Sequence, residues 1–163
     1  MNRNMYFSSV LGCNLGMFYK RRDYTRVVNG RNPIVAHEYL GDSVEGKTVF
    51  IADDIIASGE SMLEVASNLK ARGAKRIIAD ATFPLFTSGL DKFDKAVEEG
   101  TLDYVVGTNL TYRKPELLNR DWYVDVDVSK YAAYFIVALN HDMSVSSIID
   151  PIKKIEALLA NRK

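Results

Sequence analysis

Three short strand-like runs alternate with two amphipathic segments in the middle of this 163-residue chain, and that alternation constrains the fold more than any other feature. The runs are Thr48–Ala52, Arg76–Phe83 and Tyr104–Asn109, which are mostly β-branched or aromatic and bounded by turn residues. Between them, apolar residues recur at helical spacing until Gly73 and again until Gly100. A strand–helix–strand–helix–strand order predicts an α/β fold with a parallel sheet and right-handed crossovers.

The N-terminal segment departs from this pattern. Asn2–Leu11 is predicted as a helix and Leu15–Tyr19 as a strand, with no strand before the helix to open the first crossover. We therefore expect the sheet to lack its first strand. Residues 20–33 carry five basic side chains, two asparagines, a glycine and a proline, and this composition predicts an exposed mobile loop.

The C-terminal segment is predicted to add one strand and two helices. The strand lies near Trp122–Val126, and a mostly apolar helix runs from about Ser129 to Leu139. A final helix is predicted to begin with Asp150 as its N-cap and Pro151 at its first position. The whole chain, residues 1–163, is predicted to form a single domain.

Composition excludes several classes of function. Lysine plus arginine and aspartate plus glutamate both total 21, so the formal net charge is zero and a nucleic acid partner is not expected. No apolar run approaches the ~20 residues of a membrane-spanning helix. The lone Cys13 cannot form an internal disulfide and no leader sequence is recognised, so we expect a cytoplasmic protein.

The strongest chemical signal is the segment of residues 49–62, VFIADDIIASGESM. An apolar strand ends in Asp53-Asp54, and the small residues Ala57–Ser61 then lead into a helix. Backbone N–H groups and the helix dipole make such a loop an anion site, and small residues let a phosphate approach the backbone. The two carboxylates lie at the carboxyl edge of the sheet, where acceptor-only groups suit vicinal sugar hydroxyls. The alternative is structural: Ser61 with Glu64 matches a capping box, and the two aspartates simply end a strand.

Residues 53–61 resemble the ribose-phosphate loop of type I phosphoribosyltransferases and of the related ribose-phosphate pyrophosphokinases, which has two acids, two apolar residues and a small loop. Flanking motifs resemble the C-terminal half of the pyrophosphokinases over nearly the whole chain. They are Tyr19-Lys20-Arg21-Arg22, Asn29–Pro33, Gly46-Lys47, Ala81–Phe86 and Thr108-Asn109. The resemblance implies a phosphoribosyltransferase-like, three-layer α/β fold with a mostly parallel sheet and helices on both faces.

The resemblance also implies roles for individual residues. Asp53 would hold the ribose hydroxyls, with Asp54 as a second ribose or water contact. The loop residues that would bind the 5-phosphate are Ala57, Ser58, Gly59, Glu60 and Ser61. Lys20 and Arg22 match the two basic residues of a flexible catalytic loop that closes over ATP.

The implied reaction transfers pyrophosphate from ATP to the C1 hydroxyl of ribose 5-phosphate, giving phosphoribosyl pyrophosphate and AMP. Its spread negative charge calls for cations and Mg²⁺, which accompanies ATP. In the family, ATP is bound mainly by an N-terminal half together with neighbouring subunits of a homo-oligomer. We therefore expect the isolated chain to be inactive alone. No protein metal ligands are predicted, because His37 and His141 lack a partner pattern.

Two residues depart from the family loop: Ala57 stands where many relatives have aspartate, and Glu60 where they often have glycine. A Glu60 carboxylate directed at a bound phosphate would be repelled by it. We therefore expect Glu60 to point outward and to contribute only its backbone.

Residues Gly41–Thr48 match every fixed position of a Walker A phosphate loop, G-x-x-x-x-G-K-T. Such a loop follows a strand and opens a helix, whereas Lys47-Thr48 leads into a predicted strand, and Asp42 and Glu45 would repel phosphate. A hairpin before a strand is the better interpretation.

A second function class stays open at this stage. A non-catalytic regulatory domain that binds ribose phosphates would use the same loop. Lys20 and Arg22 discriminate, because a sensor has no need of two cations that stabilise a transition state.

Overall fold

The computed structural model describes residues 2–22 and 34–161. The chain divides into two compact units, residues 1–43 and 44–163. The prediction of a single domain over 1–163 stays a prediction.

In its described residues, the first unit contains one helix and a pair of antiparallel strands. These are α1 (Asn2–Leu11), β1 (Met17–Arg22) and β2 (Ile34–Leu40). β1 pairs with β2 from Met17 opposite Leu40 onward, and the register shifts between Arg21 and Arg22. The predicted helix is confirmed.

The boundary predicted for the strand at Leu15–Tyr19 is wrong, because β1 continues to Arg22. Lys20 pairs with His37 in the ladder, so cross-strand hydrogen bonding extends β1 into the basic segment that was predicted as loop. The rest of that predicted loop, residues 23–33, lies outside the described residues. β2 is absent from the sequence-based prediction.

The second unit is built on a four-stranded parallel sheet with strand order β3-β4-β5-β6. Its strands are β3 (Thr48–Ile56), β4 (Arg76–Pro84), β5 (Tyr104–Thr108) and β6 (Tyr123–Val126). Its helices are α2 (Glu60–Ala71), α3 (Asp91–Glu98), α4 (Pro115–Leu118), α5 (Ser129–Asn140), α6 (Ser146–Ile149) and α7 (Ile152–Ala160). The predicted alternation and its parallel sheet are confirmed.

The core of the second unit lies between the sheet and helices α2 and α3. Burial alternates along β4, because successive side chains of a strand point to opposite faces of the sheet. Ile77, Ala79 and Ala81 are the fully buried residues of this pattern. α2 buries Met62, Ala66 and Leu69, at the helical spacing of its apolar stripe, and α3 buries Phe93 and Ala96. The same packing places the N-terminus of α2 at the carboxyl end of β3.

The start of the last helix differs from the prediction by one residue. α7 begins at Ile152, so Pro151 is the N-cap and not the first helical residue. The Asp150 carboxylate still accepts a hydrogen bond from the backbone N–H of Ile152, at 3.0 Å. The predicted capping function is retained with the register moved by one position.

Among the described residues, no helix combines the length and apolar character needed to cross a membrane. The cytoplasmic location expected from the sequence stays a prediction.

Candidate phosphate-binding site

The carboxyl end of β3 presents the two predicted acidic residues. Asp53 and Asp54 are both exposed, and the Asp53 Oδ1 accepts a hydrogen bond from the backbone N–H of Asp54 at 2.8 Å. Asp53 pairs with Ala81 of β4 near the end of the ladder, and β3 ends soon afterwards at Ile56. The carboxylates therefore stand at the edge where open parallel sheets bind ligands.

The loop after β3 turns sharply at Gly59. Gly59 has φ of +81°, which a glycine adopts without steric cost, and it forms the N-cap of α2. No described residue accepts a hydrogen bond from the backbone N–H of Ser58, Gly59 or Ser61. Glu60 N–H reaches only the Ser58 hydroxyl, at 3.5 Å, the limit of hydrogen bonding. These N–H groups and the positive end of the α2 dipole are the features of an anion site.

The structural alternative for Ser61 is not formed. α2 begins at Glu60, so Ser61 is its second residue and lies inside the helix, where it cannot act as N-cap. No side chain in the described part of the chain caps α2. The orphan N–H groups at this helix start are thus left to solvent or a ligand, because the capping box that would occupy one of them is absent.

Glu60 points away from the loop, as expected. Its carboxylate accepts a hydrogen bond from the Lys92 ammonium of α3 at 2.6 Å, and its side chain is 69% exposed. The hydrogen bond and the charge of Lys92 lower the pKa of Glu60 below its ordinary value. This ion pair offsets the negative charge that Glu60 brings to the start of α2.

The segment that follows β4 is hydrogen-bonded to the start of the loop. Leu85 and Phe86 N–H both donate to the Ile56 carbonyl, at 2.9 and 3.1 Å, and Thr87 N–H donates to the Ala57 carbonyl at 2.9 Å. These residues carried no role in the sequence-based prediction beyond the family motif Ala81–Phe86. Their one local signal, a proline two residues before an aromatic residue, does not indicate this contact.

A second polar cluster ties the loop after β5 to the end of β6. Asn109 donates to Asp127 at 2.6 Å and to the Ser129 hydroxyl at 2.9 Å, and its carbonyl oxygen accepts from the Val128 N–H at 2.9 Å. Hydrogen bonds from Ser129 and Asn109 lower the pKa of Asp127. Through these hydrogen bonds, the side chain of Asn109 in the family motif links the two segments.

Other sequence motifs are placed as follows. Lys47-Thr48 leads directly into β3 and not into a helix, so Gly41–Thr48 is not a Walker A loop, in agreement with the rejection of that motif from the sequence. The segment instead includes an isolated antiparallel bridge between Glu45 and Ala74. Lys20 and Arg22 lie in β1 of the first unit.

No group of three or more His, Cys, Asp or Glu in the described part of the chain is arranged to hold a metal ion.

The structure defines an α/β domain with a candidate phosphate-binding loop, and comparison with known proteins identifies its family. The family model for the phosphoribosyl transferase domain matches residues 3–129. The chain therefore belongs to the phosphoribosyl transferase domain family.

Individual relatives specify which members of the family this chain resembles. Ribose-phosphate pyrophosphokinase of Wolinella succinogenes is 35% identical over 114 residues, 70% of this chain and 34% of that protein. Its counterpart in Shewanella oneidensis is 29% identical over 135 residues, 83% of this chain and 40% of that protein. The chain thus spans well under half the length of these relatives.

A solved structure gives the same fold. The crystal structure of phosphoribosylpyrophosphate synthetase from Mycobacterium smegmatis aligns with a TM-score of 0.66 at 21% identity, over 85% of this chain and 41% of that chain. Together these matches confirm the predicted phosphoribosyltransferase-like fold and the resemblance to the C-terminal region of ribose-phosphate pyrophosphokinases. They favour an enzyme family over the regulatory alternative.

Proposed function

We propose that this chain is the ribose 5-phosphate-binding half of a ribose-phosphate diphosphokinase. The observation that carries the proposal is the end of β3, where two exposed carboxylates precede a loop in which the N–H groups of Ser58, Gly59 and Ser61 have no acceptor among the described residues. Membership of the phosphoribosyl transferase domain family and the names of the relatives support it.

The two parts of this site suit the two ends of the substrate. The backbone N–H groups of residues 57–61 and the N-terminus of α2 would hold the 5-phosphate, because they supply donors and positive potential without a charged side chain. Asp53 would accept hydrogen bonds from the ribose hydroxyls, and Asp54 would make a second ribose or water contact. The Ser58 and Ser61 hydroxyls would add donors to the phosphate.

The bound sugar would then be the nucleophile. Its C1 hydroxyl would attack the β-phosphorus of ATP, forming an O–P bond while the bond from that phosphorus to the α–β bridging oxygen breaks. AMP would leave with that oxygen, and the hydroxyl proton would pass to solvent. Lys20 and Arg22 would stabilise the charge that spreads over the transferred group. Mg²⁺ would neutralise charge on the ATP phosphates. We propose that it arrives with ATP.

The rest of the proposal concerns the parts of the enzyme outside this chain. ATP would bind mainly through an N-terminal half and neighbouring subunits of a homo-oligomer located in the cytoplasm. This part of the proposal rests on the family resemblance alone, because the chain spans less than half the length of its named relatives.

Binding measurements on this chain test the site directly. Titration calorimetry should show that ribose 5-phosphate binds and that Asp53→Asn weakens it, while the affinity for inorganic phosphate stays within about twofold, because the phosphate contacts are made by the loop. Asp121→Asn, at another exposed aspartate, is the matched control. Absence of ribose 5-phosphate binding to the unaltered chain would refute the proposed site.

A further inference from the structure

Phe86 has a backbone conformation that is unusual for its residue type. Its φ is +46°, in the left-handed region that a side chain with a β-carbon rarely occupies. Such strain persists only where the surroundings hold the residue firmly, and it is concentrated at functional sites. Phe86 lies immediately after β4, in the chain segment that contacts the candidate phosphate-binding loop.

The left-handed turn at Phe86 directs consecutive N–H groups toward the loop. Leu85 and Phe86 donate to one carbonyl, that of Ile56, and Thr87 donates to the carbonyl of Ala57. Because these hydrogen bonds hold the two carbonyls, the peptide planes at the start of the loop have a fixed orientation. That orientation decides where the N–H groups of the following residues point, because each peptide is planar.

The ring of Phe86 is the anchor that holds this turn. Phe86 as a whole is 97% buried, and its ring meets the Phe93 ring edge to face with 4.9 Å between centroids. Phe93 in turn stacks on Trp122 at 5.9 Å and packs directly against Gly59. The same aromatic cluster therefore contacts the candidate loop at Gly59 and holds the segment that braces Ile56 and Ala57.

We infer that Phe86 is a positioning residue for phosphate binding: its ring fixes the turn whose N–H groups orient the loop of residues 57–61. The inference rests on the proposed function, because it concerns the same loop. Phe86 itself does not touch the ligand. Its effect is on the alignment of backbone donors, which a bound phosphate requires to within a fraction of an ångström.

The test compares ligand affinity with stability in three variants of this chain. Phe86→Ala removes the ring and should weaken the binding of both ribose 5-phosphate and inorganic phosphate about tenfold, as expected when several backbone donors lose alignment. Phe86→Leu, which keeps part of the apolar volume and is the safer variant to fold, should have an affinity between those of Phe86→Ala and the unaltered chain. Leu102→Ala is the control, because Leu102 is 99% buried but precedes β5, at the opposite end of the sheet.

Urea unfolding of each variant separates positioning from general destabilisation. We expect Leu102→Ala to lose stability and yet bind both ligands within about twofold of the unaltered chain, since its cavity is remote from the loop. Equal affinity in Phe86→Ala and the unaltered chain, or an equal loss of affinity in Leu102→Ala, would overturn the inference and leave the proposed function intact. No binding of either ligand by the unaltered chain would overturn both.

Discussion

The Phe93 ring lies so close to the Cα of Gly59 that a β-carbon on residue 59 would sit 2.3 Å from its Cε2 and 2.4 Å from its Cζ. Gly59 is also the left-handed N-cap of α2. Glycine is therefore required twice at this position, once by the backbone and once by the packing. Through this contact, the hydrophobic core sets the start of the helix whose N–H groups form the candidate site.

Gly59→Ala should lower the free energy of unfolding by about 2–5 kcal/mol, the sum of left-handed strain and overpacking against Phe93. Gly89→Ala is a matched control, because Gly89 has a similar φ of +84° but a β-carbon there would meet nothing within 4 Å. It should cost only about 1–2 kcal/mol. Urea unfolding measures both, and equal losses in the two variants would show that Phe93 yields to the added methyl group.

Much of this fold is local enough to be predicted from the sequence. The strands β3 to β6 are short apolar runs, and the helices α2 and α3 have an apolar stripe with a glycine after the last turn, as at Gly73 and Gly100. β2 and the end of β1 were missed because each depends on its cross-strand partner. Lys20 becomes strand by pairing with His37, and its own sequence context is that of a loop.

The candidate site also has one part that could be predicted from the sequence and one part that could not. The acids, the small loop and the helix start are contiguous in sequence, so residues 53–61 were found together. The partners that shape the loop lie far along the chain: Lys92 is 32 residues from Glu60, and Phe86 is 30 residues from Ile56. A left-handed phenylalanine also has no sequence signature, since the conformation is imposed by tertiary packing.

The Lys92–Glu60 ion pair should influence anion binding. Lys92→Ala leaves the Glu60 carboxylate uncompensated at the start of α2, so phosphate affinity should fall about two- to fourfold at low salt and less at high salt. Adding Glu60→Gln to that variant should restore the affinity. Lys95→Ala is the control, because Lys95 lies on the same helix but pairs with Glu99. A loss as large in Lys95→Ala as in Lys92→Ala would contradict a specific effect of the pair.

The same pair gives a pH dependence whose sign is defined. Lys92 lowers the pKa of Glu60 in the folded chain below its ordinary value of 4.5. The pair therefore contributes stability fully above about pH 4.5, and the contribution disappears as pH falls through the depressed pKa. An NMR titration of Glu60 should show its pKa rise in Lys92→Ala.

Tyr123 should titrate at unusually high pH. Burial, with a further contribution from the charge of Asp125, raises its pKa from 10.0 to about 12. Its hydroxyl has no hydrogen-bond partner among the described residues. Because the folded pKa lies above the unfolded one, the contribution to stability is complete below about pH 10 and is lost as pH rises toward 12.

Tyr123→Phe tests this assignment. It should remove the highest-pH tyrosinate transition from the ultraviolet absorbance and reduce the loss of stability between pH 10 and 12. Near neutral pH it should be close to neutral for stability, because no hydrogen bond is lost. Tyr112→Phe, at a ring that is 81% exposed, controls for the removal of one tyrosine. A high-pH transition that survives in Tyr123→Phe would refute the assignment.

We expect the isolated chain to release no appreciable AMP from ATP and ribose 5-phosphate with Mg²⁺, whereas the complete enzyme of the proposed function should release it. Alignment of the ribose hydroxyl with the β-phosphorus is worth roughly 7–11 kcal/mol, and it is lost when ATP is not held. The measurement is AMP release by the chain and by the complete enzyme at equal concentration. Robust release by the chain alone would show that its own residues bind ATP productively.

Lys20→Ala in the complete enzyme should lower kcat by about 10²-fold, the loss expected when a charge-stabilising donor is removed, while the affinity for ribose 5-phosphate stays nearly constant. Lys47→Ala is the matched control, because Lys47 is the lysine of the Walker-like segment and leads into β3 without a helix after it. It should change kcat by less than about twofold, since an exposed lysine outside the site contributes little. AMP release at saturating ATP and ribose 5-phosphate measures kcat, and calorimetry measures the sugar phosphate affinity. An unchanged kcat in Lys20→Ala would remove Lys20 from the mechanism, and a large loss in Lys47→Ala would instead assign ATP binding to residues 41–48.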